Sequence, residues 1–144
     1  MKITKKPFLL FLLLLLLLVG KFFYEEKSSN LPAPQAQQIA QAYAGKKSNV
    51  QVQGGGIVVK LLPDDLKGAK HQKFLIKVTD DMTILIAHNI DLAPRINSLK
   101  EGEEISFYGE YEWHSKGGIV HWTHHDPGKR HPDGWIKYKT RIYQ

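Results

Sequence analysis

The sequence predicts a mainly β chain: a small OB-like barrel of five to six strands, with a short helix between strands 3 and 4 and an N-terminal helix. Three observations carry that expectation. The runs follow the order strand, strand, strand, helix, strand, strand. The first strand-like run is interrupted by Gly54-Gly55-Gly56, where a sheet bulges or bends sharply. The fourth and fifth strand-like runs flank the Gly-rich turn at Gly117-Gly118. A simple meander packed on the N-terminal helix is the competing topology.

The elements are justified in order. Residues 35–44 suit a helix, because Ala36, Ile39, Ala40 and Tyr43 recur at helical spacing between Pro34 and Gly45. Residues 50–62 are apolar and β-branched. Residues 63–72 form a polar loop. Residues 73–79 alternate, with Phe74, Ile76 and Val78 on one face, and Asp80-Asp81-Met82 turns the chain into a strand at 83–88. Within 89–99, Asn89 or Asp91 offers a helix cap and Pro94 a first-turn residue. Strands follow at 104–113 and 119–125. A loop rich in Pro, Gly and charge precedes a final strand at 135–143, which extends or closes the barrel.

The first 24 residues read as targeting, not fold. Lys2, Lys5 and Lys6 precede an unbroken apolar run at 8–19. That run suits a signal peptide, yet with Phe22, Phe23 and Tyr24 the segment reaches a length at which an uncleaved signal anchor also fits. Either reading puts the remainder outside the cytoplasm, in the periplasm or extracellular space, with the membrane as a partner if the segment is uncleaved. Residues 25–34 read as a linker and 35–144 as one domain. The chain has no cysteine, which excludes lipidation at cysteine, disulfides and thiolate metal sites. The net charge of +6 overstates the domain's basicity. Without residues 1–27 there remain 15 basic and 12 acidic residues, a balance of +3. That is thin for a polyanion binder, so nucleic acid is not the expected partner.

Alternation sorts the long hairpin. Ile105, Phe107, Gly109, Tyr111 and Trp113 share the core face, and Ser106, Tyr108, Glu110, Glu112 and His114 share the other. A tight turn at 115–118 pairs His114 with Ile119. It therefore sets Glu112 opposite His121, Trp113 opposite Val120, Tyr111 opposite Trp122 and Tyr108 opposite His125. In that register Trp113 and Trp122 pack in the core. Glu110 and Glu112 on the outer face repel a phosphate backbone.

Certain segments resemble a known family: Leu62-Pro63-Asp64-Asp65, His71-Gln72, the 87–96 stretch from Ala87-His88-Asn89 to Pro94-Arg95-Ile96, Gly109-Glu110-Tyr111-Glu112-Trp113, the 121–127 stretch His121-Trp122-Thr123-His124-His125-Asp126-Pro127, and Gly134-Trp135-Ile136. The pattern is similar to that of an uncharacterised bacterial domain of unknown function found in short exported proteins. The resemblance covers about residues 50–144. It implies export and a small β-rich fold, and it brings no activity, substrate or catalytic residue.

Chemistry concentrates in the stretch where four of the seven histidines fall, His121, His124, His125 and His131. The expected ligand-binding residues are Trp122, His124, His125, Asp126, His131 and Trp135. A metal, zinc or copper, would take His124, Asp126 and His131, since imidazole and carboxylate suit both ions. Without a metal, the same groups form a hydrogen-bonded loop. His71 and His88 read as structural. A nuclease reading is weak, because Asp64 and Asp65 lie in a loop and Arg95, Arg130 and Arg141 are scattered. The expected function is an extracytoplasmic binding or accessory module of unknown protein or small-molecule ligand. The alternative is a small metal-dependent hydrolase using residues 121–133.

Overall fold

The computed structural model describes residues 33–144. The targeting segment expected at 1–24, and the linker up to residue 32, lie outside the described residues. Helix α1 spans Ala33–Ala44. Seven strands follow: β1 (Val50–Leu61), β2 (His71–Thr79), β3 (Met82–Asn89), β4 (Glu104–Glu112), β5 (Ile119–His121), β6 (Trp135–Tyr138) and β7 (Arg141–Tyr143). Among the described residues no helix is long and apolar enough to cross a membrane.

The strands run β1-β2-β3-β5-β4, and β4 returns to pair with β1, which closes a five-stranded barrel. The β3–β5 contact is parallel, through Leu85 with Ile119 and Ile86 with Val120, and the other barrel pairs are antiparallel. This is the OB-like closure expected from the element order, and the meander is excluded.

Strand β1 serves two partners. Residues from Val50 to Ile57 pair with β4, and those from Ile57 to Leu61 pair with β2. The three glycines sit in the β4-paired half without breaking its register. The slip in register lies further on, between Val58 and Lys60 against β2. The glycines serve the bend instead: a Cβ on Gly56 would lie 2.2 Å from the carbonyl oxygen of Lys77. Alternating residues fill the interior, including Val52, Phe74, Ile76, Ile84, Ile86, Phe107, Tyr111 and Val120, all fully buried. α1 adds Ile39 and Ala42 to the same core.

Four expectations are corrected. The segment 89–99 is a chain of turns, not a helix. One helix-like bond forms, from Ala93 N to Asn89 O at 3.2 Å, and then Pro94 offers no N–H to continue it. The Gln72 side chain then takes both backbone groups of Ile96, accepting from its N–H at 2.9 Å and donating to its carbonyl at 3.0 Å. The final run is also not one strand. It is the hairpin β6–β7, reversed at Lys139, whose φ is 56°. β5 stops at His121 rather than running on to residue 125.

The fourth correction carries the register. Glu112 pairs with Ile119, Tyr111 with Val120 and Glu110 with His121, two residues from the expected pairing. The connection is longer than a tight turn because Trp113 and His114 leave the ladder. The Trp113 N–H donates to Ser48 Oγ at 2.9 Å, and the buried Tyr111 hydroxyl donates to Gly117 O at 2.9 Å. A Cβ on Gly118 would fall 2.2 Å from the Tyr111 ring, so the glycine lets the chain pass over that ring. A shift of two conserves which face each side chain takes. The inward and outward sets within β4 are therefore those the alternation predicts.

Candidate functional site

β5 and β6 lie end to end along the same edge of β4. β5 pairs His121 with Glu110, and β6 pairs Trp135 with Tyr108. Between those rungs β4 advances two residues and the opposing chain fourteen, so twelve residues, 122–133, are looped out of one interrupted barrel strand. The neck is narrow. Gly134 N donates to His124 O at 2.9 Å, and a Cβ on Gly134 would lie 1.9 Å from the Trp122 carbonyl oxygen.

Asp126 organises the loop. Its carboxylate accepts from the backbone N–H of Gly128 at 2.8 Å, Arg130 at 2.7 Å and His131 at 2.9 Å. The N–H groups of Arg130 and Gly128 hold its pKa below the ordinary aspartate value, against the opposing effect of burial. Asp133 closes the other side, accepting from Asp126 N at 2.8 Å and pairing with His125 Nδ1 at 3.1 Å.

Trp122 leaves the ladder with a φ of 53°. It does not face Tyr111 in the core. Its ring stacks on His131, with centroids 4.2 Å apart and planes 7° from parallel, and it lies 5.4 Å from His124. Trp135 stacks on Tyr108 at 6.4 Å. Trp113 is half-buried at the edge of the core.

His131 contacts acceptors through both ring nitrogens: Nε2 meets Glu110 Oε2 at 2.7 Å and Nδ1 meets the Pro132 carbonyl at 2.9 Å. A carbonyl and an ionised carboxylate only accept, so this geometry favours the imidazolium form with hydrogen on both nitrogens. Burial opposes that charge. The Glu110 carboxylate, the Pro132 carbonyl and the charge on Asp126 outweigh it, and the pKa is raised.

Beneath the loop, His88 is fully buried. Its Nε2 donates to Pro94 O at 3.2 Å, so Nδ1 accepts from the Thr123 hydroxyl at 2.8 Å. Burial is the main reason its pKa falls to about 4, and the nearby His124 and His71 add to the effect. The ring is neutral and structural, as the sequence suggests. It ties the loop to the 89–99 turns.

Five of the expected ligand residues, Trp122, His124, His125, Asp126 and His131, thus share one loop, with Trp135 on β6 beside it, without forming one ligand set. Asp126 spends its oxygens on backbone donors. His124 is buried and donates from Nδ1 to His125 O at 2.7 Å. Among the described residues, the donors that gather within 4.8 Å of one another are those of Glu110, Glu112 and His121. His121 Nε2 lies 3.5 Å from Glu110 Oε1 and 3.7 Å from Glu112 Oε1. Alternation put both glutamates on the outer face, and Glu112 was already expected beside His121. The Glu110–His131 contact spans 21 residues and has no local signal. Asp64 sits apart from this group, held by Arg95 at 2.8 Å and 3.2 Å.

Residues 26–144 match the family described as a protein of unknown function (DUF3465), and the chain belongs to that family. No curated protein matches it.

Proposed function

We propose that this member of the family is an extracytoplasmic binding or accessory module. Its N-terminal segment either delivers it or tethers it to the membrane. It meets its ligand with the outer face of β4 and the loop 122–133. One observation carries the reading. Twelve residues without helix or strand are looped out of a barrel strand, yet they are pinned at Asp126, Asp133 and Gly134. Long irregular loops on a rigid scaffold are where binding groups concentrate. This loop holds Trp122 and His131, and leaves His125 exposed, beside Trp135, Tyr108 and the acidic pair Glu110 and Glu112. That acidic floor disfavours a nucleic-acid strand and suits a peptide or small polar ligand.

The indole N–H resonances of Trp122 and Trp135 test the reading. They would be followed while adding a muramyl peptide, a basic peptide or a single-stranded oligonucleotide. Saturable shifts at these two indoles with one of the first two support it. Shifts with none of the probes, or shifts confined to the cavity of about 500 Å³ lined by Glu103, Tyr138 and Lys139, count against it. A reporter active only after export, fused to Gln144, tests the location. A stable but inactive fusion would refute it.

A metal-dependent hydrolase is the second reading. The gathering of Glu110, Glu112 and His121 favours it, because such a hydrolase needs a carboxylate–imidazole ion site.

A further inference from the structure

We infer that Glu110, Glu112 and His121 form a binding site for a divalent transition ion of zinc's class, on the outer face of the barrel. The inference does not depend on export or on an organic ligand. It moves the metal site out of the histidine loop, where His124, Asp126 and His131 were expected to hold it.

The spacing is the first argument. His121 Nε2 lies 3.5 Å and 3.7 Å from one oxygen of each glutamate, too far for good hydrogen bonds. Ligands bonded to zinc at about 2.1 Å in a tetrahedron stand roughly 3.4 Å apart. The imidazole nitrogen already stands at nearly that separation from each carboxylate, and all three donors lie within 4.8 Å of one another.

The second argument is an unmet group. His121 Nε2 is itself shielded from solvent and has no hydrogen-bond partner. Buried polar nitrogens are rarely left so. An ion between Nε2 and the two carboxylates would satisfy it.

The third is orientation. Glu110 and Glu112 are fixed on one strand and His121 on its neighbour, so the backbone ladder sets the donors' origins. His131 binds Glu110 through Oε2, which leaves Oε1 toward His121. Carboxylate ligands are commonly anchored by such outer partners. Glu110 and Glu112 bring two carboxylates to the group. Three protein donors leave a tetrahedral ion one open position. Glu112 and His121 also line a cavity of about 220 Å³ with Asp65, His71, Lys73, Ala87 and Ile119.

The test uses the full chain produced without a polyhistidine tag and titrated with zinc chloride by calorimetry. One equivalent should bind saturably. Glu112→Gln and His121→Gln should each weaken binding at least ~10-fold, the scale of a lost ligand or its partner. His114→Gln, at the exposed hairpin tip, should leave it unchanged. Cobalt added to the unmodified chain should broaden the His121 imidazole resonances before those of His71 or His125, a map independent of any variant. Absence of saturable uptake overturns the proposal. So does uptake that survives His121→Gln but is lost in Asp126→Asn, which would return the ion to the loop.

Discussion

Gly134 passes the carbonyl of Trp122 with no room for a side chain: a Cβ there would stand 1.9 Å from that oxygen and 2.6 Å from the Tyr108 carbonyl. Both obstacles are backbone, so neither can swing aside. This crossing lets β6 resume the ladder that β5 leaves.

The first prediction follows from that neck. Gly134→Ala should destabilise the domain by roughly 3 kcal/mol, the upper end of overpacking costs, because the relief must come from the backbone. Urea denaturation of the variant against wild type measures it. A loss below about 0.5 kcal/mol, the scale of an ordinary surface substitution, would mean that the neck is not closed in solution.

Asp126 gives the second. Asp126→Asn keeps the shape, removes the charge and replaces one of the two accepting oxygens by an NH2 group, so at least one of the three hydrogen bonds from Gly128, Arg130 and His131 is lost. Amide exchange at those three N–H groups should accelerate at least ~10-fold while core amides such as that of Phe107 stay slow, since loops open separately from the core. The sign with pH is fixed by the lowered pKa of Asp126. The loop is held above the ordinary aspartate range and loosens as pH falls through the depressed value. Uniform exchange rates across these sites in both proteins would count against the cap.

Much of this was legible in the sequence. Alternation identified the two faces of β4, and the order of runs identified the barrel, because both rest on local periodicity. The site was only half legible. The glutamates fell on the outer face and His121 among them, but the pairing was off by two, because Ser48, Gly117 and Gly118 draw Trp113 and His114 out of the ladder. The partnership of His131 with Glu110 depends on a loop whose length is measurable only once β6 is seen to continue β5. The expected helix at 89–99 failed for a nonlocal reason as well. Its backbone groups at Ile96 are claimed by Gln72 on β2.

That clamp supplies the third prediction. Gln72 is buried, accepts from Ile96 N–H and donates to Ile96 O, which also takes a longer bond from Leu99 N at 3.4 Å. Gln72→Leu preserves volume but leaves the buried Ile96 N–H without a partner and its carbonyl with the Leu99 bond alone. An unmet buried N–H costs about 1–3 kcal/mol, so the variant should lose roughly that much. Gln72→Glu should lose less once its carboxyl is protonated, because it then both accepts from Ile96 N and donates to Ile96 O, whereas near neutral pH a buried carboxylate would face that carbonyl. Equal losses in the two variants with that carboxyl protonated, read by thermal unfolding, would contradict the clamp.

The last prediction concerns acid. His88 is fully buried and neutral between Pro94 and Thr123, and burial lowers its pKa from 6.5 to about 4. In the unfolded chain it takes a proton near 6.5, so between that pH and about 4 the unfolded state holds the extra proton. The sign follows. The contribution of the neutral ring is complete above pH 6.5 and is lost as pH falls through the window to about 4. A shift of that size corresponds to roughly 3 kcal/mol at order-of-magnitude precision. Carboxylates with lowered pKa values, such as Asp126 and Asp133, also lose stabilisation in acid, but their window lies below the ordinary aspartate value. Denaturation midpoints at pH 7, 6, 5 and 4 for wild type and His88→Gln separate the two effects. Wild type should lose most of its stability increment between pH 6.5 and 4, and the variant should run flat there before falling at lower pH. Since His88 holds Thr123, the loop amides should exchange faster in wild type at pH 4.5 than at pH 7 after correction for intrinsic rates. Parallel pH profiles for the two proteins would show that His88 is not the group through which acid reaches the loop.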